Sequence, residues 1–139
     1  MYIDTDITMA LIGFDDNLLN KMDLSKMKDT KTSIMTIFEI RNILSEMDIS
    51  TDIKEIFYLI KKEDIEILPM TVEVLQISVE LLDKYDGLIL LDVNHTIHAS
   101  NCIILKETMF STDPIYKRIG EIKYKNPEQI SNIDDYFNV

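Results

Sequence analysis

In MYIDTDITMALIG, residues 1–13, a short apolar run stops at Asp4 and a second apolar run follows at once. The first run predicts a strand that ends at Asp4, and the second predicts a helix with Asp6 near its N-terminus. A strand that passes directly into a helix is the repeating unit of α/β proteins, whose strands pair in parallel. The opening therefore predicts a parallel sheet with helices packed on its faces.

The rest of the chain repeats this alternation of strands and helices. Further helices are predicted at residues 32–47, 50–63, 71–85 and 94–106, and short strands at residues 65–70, 108–113 and 121–125. The first residues of segment 32–47 could instead form a brief strand, and Ser50 or Thr51 is the expected N-cap of the next helix. We predict a three-layer α/β sandwich, with a central parallel sheet of four to five short strands flanked by helices.

Composition and length indicate one compact domain. The 139 residues are 46% hydrophobic and include only three glycines and three prolines. We expect residues 1–126 to form the domain and the acidic tail, residues 127–139, to belong to it. Cys102 is the single cysteine and has no partner for an intramolecular disulfide. No signal peptide or membrane span is recognised, so we expect a cytoplasmic protein without a membrane partner.

The net charge of −11 argues against a general binder of polyanions, because lysine and arginine supply most phosphate contacts. Carboxylates gathered in one cleft would nevertheless attract a divalent cation, which reverses the local sign of the charge. Three basic residues, Lys117, Arg118 and Lys123, follow soon after Asp113. They are candidate contacts for substrate phosphates, and a solvated surface is the alternative interpretation.

Three acids in distant segments are the candidate chemistry. Asp4 ends the first predicted strand and Asp113 ends the fourth, and α/β proteins form their sites at the carboxyl ends of strands. Glu39 is the single acid inside TIFEIRNIL, residues 36–44, where a carboxylate is costly unless it is paired or bound to metal. Such oxygen ligands suit Mg²⁺ or Mn²⁺. Each acid also has a structural interpretation, as a helix cap or, for Glu39, as a boundary residue beside Arg41.

Four segments together resemble the PIN domain family. They are YIDTDITMALI (residues 2–12), TSIMTIFEIRNIL (residues 32–44), NHTIHASNCIIL (residues 94–105) and FSTDPIYKRI (residues 110–119). Their order and approximate spacing are those of the family from residue 2 to about residue 126, and they most resemble the VapC-type toxin ribonucleases. The resemblance implies a divalent-metal-dependent ribonuclease that hydrolyses RNA phosphodiester bonds. It also implies a homodimer that is held by a small antitoxin protein.

The resemblance assigns roles to individual residues. Asp4 corresponds to the first metal-binding carboxylate, Glu39 to the second and Asp113 to the fourth, and these three are the expected catalytic residues. Ser111 is the hydroxyl residue two places before Asp113, and Asp6 adds a negative charge beside the first motif. The implied cofactor is Mg²⁺ or Mn²⁺, which activates a water molecule for attack on the phosphodiester.

The only two histidines lie three residues apart in NHTIHAS, residues 94–100, a spacing that puts both imidazoles near one face of a helix. By the resemblance, His95 stands where the family's third acid is expected, as a metal ligand or as a passive substitution. An imidazole suits Mn²⁺ better than Mg²⁺, and Asp92 or Asp86 in the preceding loop is a candidate for the missing charge. His98 occupies a position where the family often has histidine, and we expect it to be structural.

Three alternatives stay open at this point. DGLILLDVN, residues 86–94, imitates a response-regulator receiver with Asp92 as phosphate acceptor, although only 33 residues separate it from the candidate Lys125. A catalytically impaired PIN-like binding or scaffold protein is the second, because His95 replaces an expected aspartate. The apolar residues of DIKEIFYLIKK, residues 52–62, provide either a partner surface or ordinary core packing.

Overall fold

A computed structural model describes residues 1–129 and contains a five-stranded sheet in which all paired strands are parallel. The strand order is β3-β2-β1-β4-β5. The chain therefore builds one half of the sheet outward from β1 and then crosses to build the other half, so the order reverses between β1 and β4. The bounds of the strands are β1 (Tyr2–Ile3), β2 (Lys31–Ser33), β3 (Glu66–Leu68), β4 (Met109–Phe110) and β5 (Tyr124–Lys125).

Helices follow the strands and cover both faces of the sheet. Two short 3-10 helices, Leu24–Lys26 and Pro114–Arg118, occur in addition to the α-helices. The α-helices are α1 (Thr5–Leu11), α2 (Asp16–Leu19), α3 (Ile34–Glu46), α4 (Ile53–Lys62), α5 (Val72–Lys84), α6 (Val93–Leu105) and α7 (Pro127–Gln129). No helix within residues 1–129 combines the length and the apolar character needed to cross a bilayer.

The two residues of β1 show why the molecule has three layers. Successive side chains of a strand point to opposite faces of the sheet, so Tyr2 and Ile3 enter different cores. Ile3 packs with apolar residues of α1, α3 and α4, whereas Tyr2 packs with residues of α5, α6 and β4. Both side chains are completely buried. The predicted three-layer sandwich with a central parallel sheet is confirmed.

The structure corrects several predicted boundaries. The N-cap of α4 is Asp52, whose carboxylate accepts a hydrogen bond from the backbone of Lys54 at 3.0 Å, and is neither Ser50 nor Thr51. The brief strand suggested before α3 exists as β2, and its last residue, Ser33, caps that helix. The predicted strands at 108–113 and 121–125 are each only two residues long. Of the predicted tail, residues 127–129 form α7, and residues 130–139 lie outside the described part of the chain.

Two alternatives drawn from the sequence are decided by the fold. Residues 88–92 form no strand, and Asp92 is the N-cap of α6, so the receiver interpretation is wrong. In α4, Ile56 and Ile60 are buried and Phe57 packs partly against the same core, whereas Tyr58 is exposed. Because the apolar stripe of this helix is mostly occupied by core contacts, core packing explains segment 52–62.

Candidate active site

The site is built where β1 and β4 end side by side. Asp4 follows β1 and caps α1: its Oδ1 accepts a hydrogen bond from the Thr5 backbone at 2.8 Å. Its other oxygen, Oδ2, accepts a hydrogen bond from the Ser111 hydroxyl at 2.7 Å, and the same hydroxyl oxygen accepts the Asp113 N–H at 3.0 Å. Asp113 caps the following 3-10 helix through the Ile115 N–H at 3.0 Å. Ser111 therefore connects the Asp4 carboxylate to the backbone of Asp113.

Glu39 reaches the same place from α3 through His98. The Nε2 atom of His98 lies 2.6 Å from Glu39 Oε1 and 3.4 Å from Asp4 Oδ1. Burial lowers the pKa of His98, but the negative charges of Asp4 and Glu39 and the hydrogen bond to Glu39 outweigh this, so the pKa is raised. Arg41, the neighbour that a structural interpretation of Glu39 offered, lines a different depression with Ser45 and Asp48. His98 was expected to be only structural, and sequence reasoning missed its contact with two candidate ligands.

His95 lies between two carboxylates at the start of α6. Its Nε2 is 3.0 Å from Asp113 Oδ2, and its Nδ1 is 3.1 Å from Asp92 Oδ1 and 3.4 Å from the Asp92 backbone nitrogen. Asp92 also caps α6 by accepting the His95 N–H at 2.8 Å, which completes a capping box. Asp86 lies in a separate depression with Leu88 and Arg118. Of the two loop acids considered from the sequence, Asp92 is therefore the one beside His95.

Asp4, Glu39 and Asp113 line one open cleft of about 550 Å³. Both histidines belong to its wall, and the described residues that form it include no lysine or arginine. Burial and the nearby Asp4 raise the pKa of Asp6, which accepts hydrogen bonds from the backbone and hydroxyl of Thr112. The wall contains six carboxylates, those of Asp4, Asp6, Asp15, Glu39, Asp92 and Asp113. A surface with this concentration of negative charge attracts cations.

Two buried hydroxyls in the wall of the cleft lack a partner. Thr5 Oγ1 and Tyr116 OH make no hydrogen bond within the described residues, although Thr5 is 5% exposed and Tyr116 only 1%. Burial, with the charge of Asp4 next, raises the pKa of Tyr116, so this hydroxyl is a donor at neutral pH. Buried hydroxyls without partners are costly and rare. A polar ligand in the cleft is a suitable partner for them. Sequence reasoning missed both residues because neither carries a charge, although each lies within one of the motifs quoted above.

The donor set suits a hydrated divalent ion better than a closed protein cage. Within residues 1–129, no group of three or more His, Cys, Asp or Glu side chains converges closely enough to enclose an ion. Mg²⁺ typically takes one or two protein carboxylates and keeps several waters, so a cleft with separated carboxylates fits this chemistry. The residues available to hold such an ion are Asp4, Glu39, Asp113 and His95.

The structure does not bring the three candidate RNA-contact residues into the cleft. Lys117, Arg118 and Lys123 are exposed, and none of them lies in its wall. Arg118 instead donates a hydrogen bond to the backbone carbonyl of Leu88 at 3.0 Å. These basic residues therefore belong to the surface outside the acidic cleft.

The fold is shared with solved toxin–antitoxin complexes at low sequence identity. A structure titled VapBC2 from Rickettsia felis bound to a promoter DNA fragment matches with a TM-score of 0.64 and 20% identity, covering 90% of this chain and 96% of that one. A toxin–antitoxin complex from Klebsiella pneumoniae matches with a TM-score of 0.66 and 12% identity, covering 91% and 96%. VapBC-1 from nontypeable Haemophilus influenzae matches with a TM-score of 0.63 and 12% identity, covering 90% and 96%.

Sequence comparison gives the family directly. A search of curated proteins finds no match. The model of the PIN domain matches residues 1–122, which is most of the chain and includes every strand from β1 to β4. On this evidence the chain belongs to the PIN domain family.

Proposed function

We propose that the protein is a divalent-metal-dependent ribonuclease that hydrolyses RNA phosphodiester bonds in the cytoplasm. The observation that carries the proposal is the convergence of Asp4, Glu39 and Asp113 on one cleft at the point where the strand order reverses. These carboxylates come from residues far apart in the sequence, and the described wall of the cleft contains no basic side chain that would neutralise them. The negative charge of this site repels an anionic substrate unless a cation is bound first.

The roles of the residues follow from their contacts. Bound Mg²⁺ or Mn²⁺ supplies an activated water and stabilises the developing charge on the phosphate. Asp4, Glu39 and Asp113 hold the ion directly or through the waters that it keeps. Ser111 fixes the position of Asp4 relative to Asp113, because its hydroxyl donates to the Asp4 carboxylate and accepts the Asp113 backbone N–H. Asp6 adds negative charge to the same wall.

His95 is proposed as a further ligand. In the metal-free contacts Nδ1 accepts the Asp92 backbone N–H and Nε2 donates to Asp113 Oδ2 at 3.0 Å, so metal binding by Nε2 requires the proton to move to Nδ1. The Asp92 carboxylate, 3.1 Å from Nδ1, can accept that proton in a hydrogen bond. A carboxylate that fixes the far nitrogen is the usual support of a metal-binding histidine. Because an imidazole replaces a carboxylate there, we expect Mn²⁺ to be preferred over Mg²⁺.

The proposed substrate is single-stranded or looped RNA, whose backbone can be splayed into an open cleft. Lys117, Arg118 and Lys123 remain the proposed phosphate contacts outside the acidic wall. If they bind RNA, the double variant Lys117→Ala, Lys123→Ala raises KM without changing kcat. A change in kcat alone would remove them from the RNA path.

Cleavage of a labelled single-stranded RNA, with Mn²⁺ or Mg²⁺ as the only divalent ion, tests the proposal. Asp4→Asn keeps the size of the side chain and removes its charge, so we expect a loss beyond the roughly 100-fold that removal of a ligand's supporting residue costs. Asp16→Asn, at an exposed position outside the cleft, is the matched control and should retain full activity. Absence of cleavage by the wild type, or equal cleavage by Asp4→Asn, would end the enzymatic proposal.

We also propose that the protein forms a homodimer and acts as the toxin partner of a small antitoxin. The support is the likeness to structures titled toxin–antitoxin or VapBC complexes. An exposed apolar row on α5, made by Val72, Leu75 and Val79, offers a surface for association. Light scattering of wild type and Leu75→Lys, Val79→Lys tests the dimer: a monomeric wild type refutes it, and an unaffected double variant refutes this surface.

A catalytically impaired binding module is the second candidate. The observation in its favour is that His95 and His98 already hydrogen-bond to Asp113 and Glu39, and no three donors enclose an ion within residues 1–129. Isothermal titration with MnCl₂ separates the two candidates. Binding that Asp4→Asn abolishes favours the nuclease, whereas absence of binding together with retained RNA affinity favours the module.

A further inference from the structure

The ring of His98 is completely enclosed and fully engaged. The residue is 1% exposed, lies in the middle of α6, and its ring packs edge-on against Tyr2 with centroids 5.7 Å apart. Its Nδ1 lies 2.5 Å from the Tyr2 hydroxyl, and its Nε2 is the atom that faces Glu39 and Asp4. One side chain thus connects β1, α3 and the residue that caps α1.

The partners fix where the proton of this ring lies. Ionised carboxylates only accept hydrogen bonds, so Nε2 carries a proton that points toward Glu39 and Asp4. In the neutral ring, Nδ1 must then accept, and the Tyr2 hydroxyl is its donor. The hydroxyl of a core tyrosine therefore selects the form of His98 that donates into the acidic cleft.

The dependence of the two acids on His98 is unequal. Asp4 is also held by the Thr5 backbone and by Ser111. Within the described contacts, His98 is the only hydrogen-bond partner of the Glu39 side chain. Since Glu39 belongs to a helix on one face of the sheet and His98 to a helix on the other, this bond also joins the two outer layers of the sandwich.

From these contacts we propose that Tyr2 and His98 form a positioning unit that sets the separation of the Asp4 and Glu39 carboxylates for metal binding. The inference rests on the proposed function, because it assigns these two carboxylates to one ion. Supporting residues of this kind orient the ligands and are commonly worth about 10- to 100-fold in metal affinity. Neither residue touches the reacting atoms, so both are positioning residues.

Two substitutions at position 98 separate positioning from simple core filling. The amide nitrogen of glutamine reaches about as far as Nε2 and can still donate to Glu39, whereas asparagine reaches only to the position of Nδ1. We expect His98→Asn to weaken Mn²⁺ binding by about 10- to 100-fold, and His98→Gln to stay several-fold closer to the wild type. Calorimetric titration with MnCl₂ measures the affinity, and urea unfolding of the metal-free proteins measures the stability.

Tyr2→Phe is the milder test, since it removes only the hydroxyl that fixes the ring. It should weaken Mn²⁺ binding less than His98→Asn. It should also change the ¹⁵N chemical shifts of the His98 ring, which in the wild type are those of a protonated Nε2. Because the phenyl ring is kept, this variant retains the core contacts and keeps the inference testable even if both position-98 variants fail to fold.

The outcomes distinguish failure of the positioning role of Tyr2 and His98 from failure of the proposed nuclease function. If the wild type binds Mn²⁺ and cleaves RNA, but the glutamine and asparagine variants have equal affinities or Tyr2→Phe binds as the wild type does, the positioning role is overturned and the nuclease stands. If the wild type binds no Mn²⁺, the proposed function falls and the positioning role falls with it.

Discussion

The two histidines of α6 are three residues apart, yet their surroundings are opposite. His98 is buried at the centre of the sandwich, with Tyr2 on one nitrogen and Glu39 and Asp4 on the other. The His95 side chain is 23% exposed and lies at the mouth of the cleft between Asp92 and Asp113. Each imidazole contacts two carboxylates, but only the ring of His95 is exposed to solvent, so only His95 can be reached by a ligand.

Helical spacing puts the two side chains on one face of the helix, but their burial decides what each of them can do. One helical turn moves a side chain by about 5 Å along the axis. Here that distance leads from the solvent-facing N-terminal turn to the closed core. We therefore assign ligand binding to His95 and support of ligands to His98, and the following substitutions test this division.

The largest expected difference is in stability. His98→Leu keeps a side chain of similar volume but leaves the Tyr2 hydroxyl and the Glu39 carboxylate without their partner. This should lower the free energy of unfolding by about 3 kcal/mol. His95→Leu, at the partly exposed position, should cost about 1 kcal/mol or less. Urea unfolding of both variants measures the contrast, and equal losses would erase the distinction between the two positions.

A pair of buried tyrosines sharpens the same contrast. Tyr2→Phe removes a hydroxyl that bonds His98 and should lower stability by about 1 kcal/mol. Tyr116→Phe removes a buried hydroxyl without a partner in the described structure, so it should leave stability unchanged or raise it slightly. Thermal unfolding without metal compares them. A larger loss for Tyr116→Phe would show that its hydroxyl is already satisfied and is not waiting for a ligand.

Restoring an acid at the cleft mouth tests His95 as a ligand. His95→Asp supplies the charge that the family's pattern expects and should shift the ratio of Mg²⁺- to Mn²⁺-supported cleavage toward Mg²⁺ by about tenfold, equivalent to about 1.4 kcal/mol. The rates of RNA cleavage in each metal give the ratio. An unchanged ratio would mean that position 95 does not touch the ion.

The smallest effect is expected far from the cleft, at the pair of Lys31 and Glu107. The hydrogen bond from Lys31 lowers the pKa of Glu107 below its ordinary value of 4.5, and the N-terminal ammonium adds to this. A lowered pKa in the folded state gives stability that is present above pH 4.5 and is lost as the pH falls through the folded-state value. Glu107→Gln should therefore cost up to about 1 kcal/mol at pH 7 and nothing at low pH. Its Mn²⁺ affinity should equal that of the wild type.

The sequence was sufficient for the fold because strand and helix signals alternate clearly. Asp4 and Asp113 were recognisable as acids that follow predicted strands, and their proximity follows from parallel strands that end at one edge of the sheet. Glu39 was recognisable by its motif alone, because it lies within α3. Capping was less predictable: Ser50, Thr51 and Asp52 are all good N-cap residues, and only the observed start of α4 selects Asp52. The length of the last strands depends on pairing with neighbours, which local sequence does not encode.

The parts of the site that were not predicted depend on how deeply a side chain is buried and on the direction in which it points. His98 was identifiable as a neighbour of His95 on one helix face. Its hydrogen bond to Glu39 joins helices from opposite faces of the sheet, so only the packed structure shows it. Thr5 and Tyr116 carry no charge, so only their burial without partners marks them. The basic residues after Asp113 were placed near the site by sequence proximity, yet Lys117 and Arg118 lie in the 3-10 helix Pro114–Arg118, Lys123 follows it, and none of the three lines the cleft.

The central claim is that Asp4, Glu39 and Asp113 form one site for a divalent ion. Isothermal titration of the wild type, Asp4→Asn and Asp16→Asn with MnCl₂ is its most direct test. We expect a saturable site in the wild type and in Asp16→Asn that is lost in Asp4→Asn. A wild type that binds no Mn²⁺, or an Asp4→Asn variant that binds it equally well, would show that these carboxylates do not form a site for the ion.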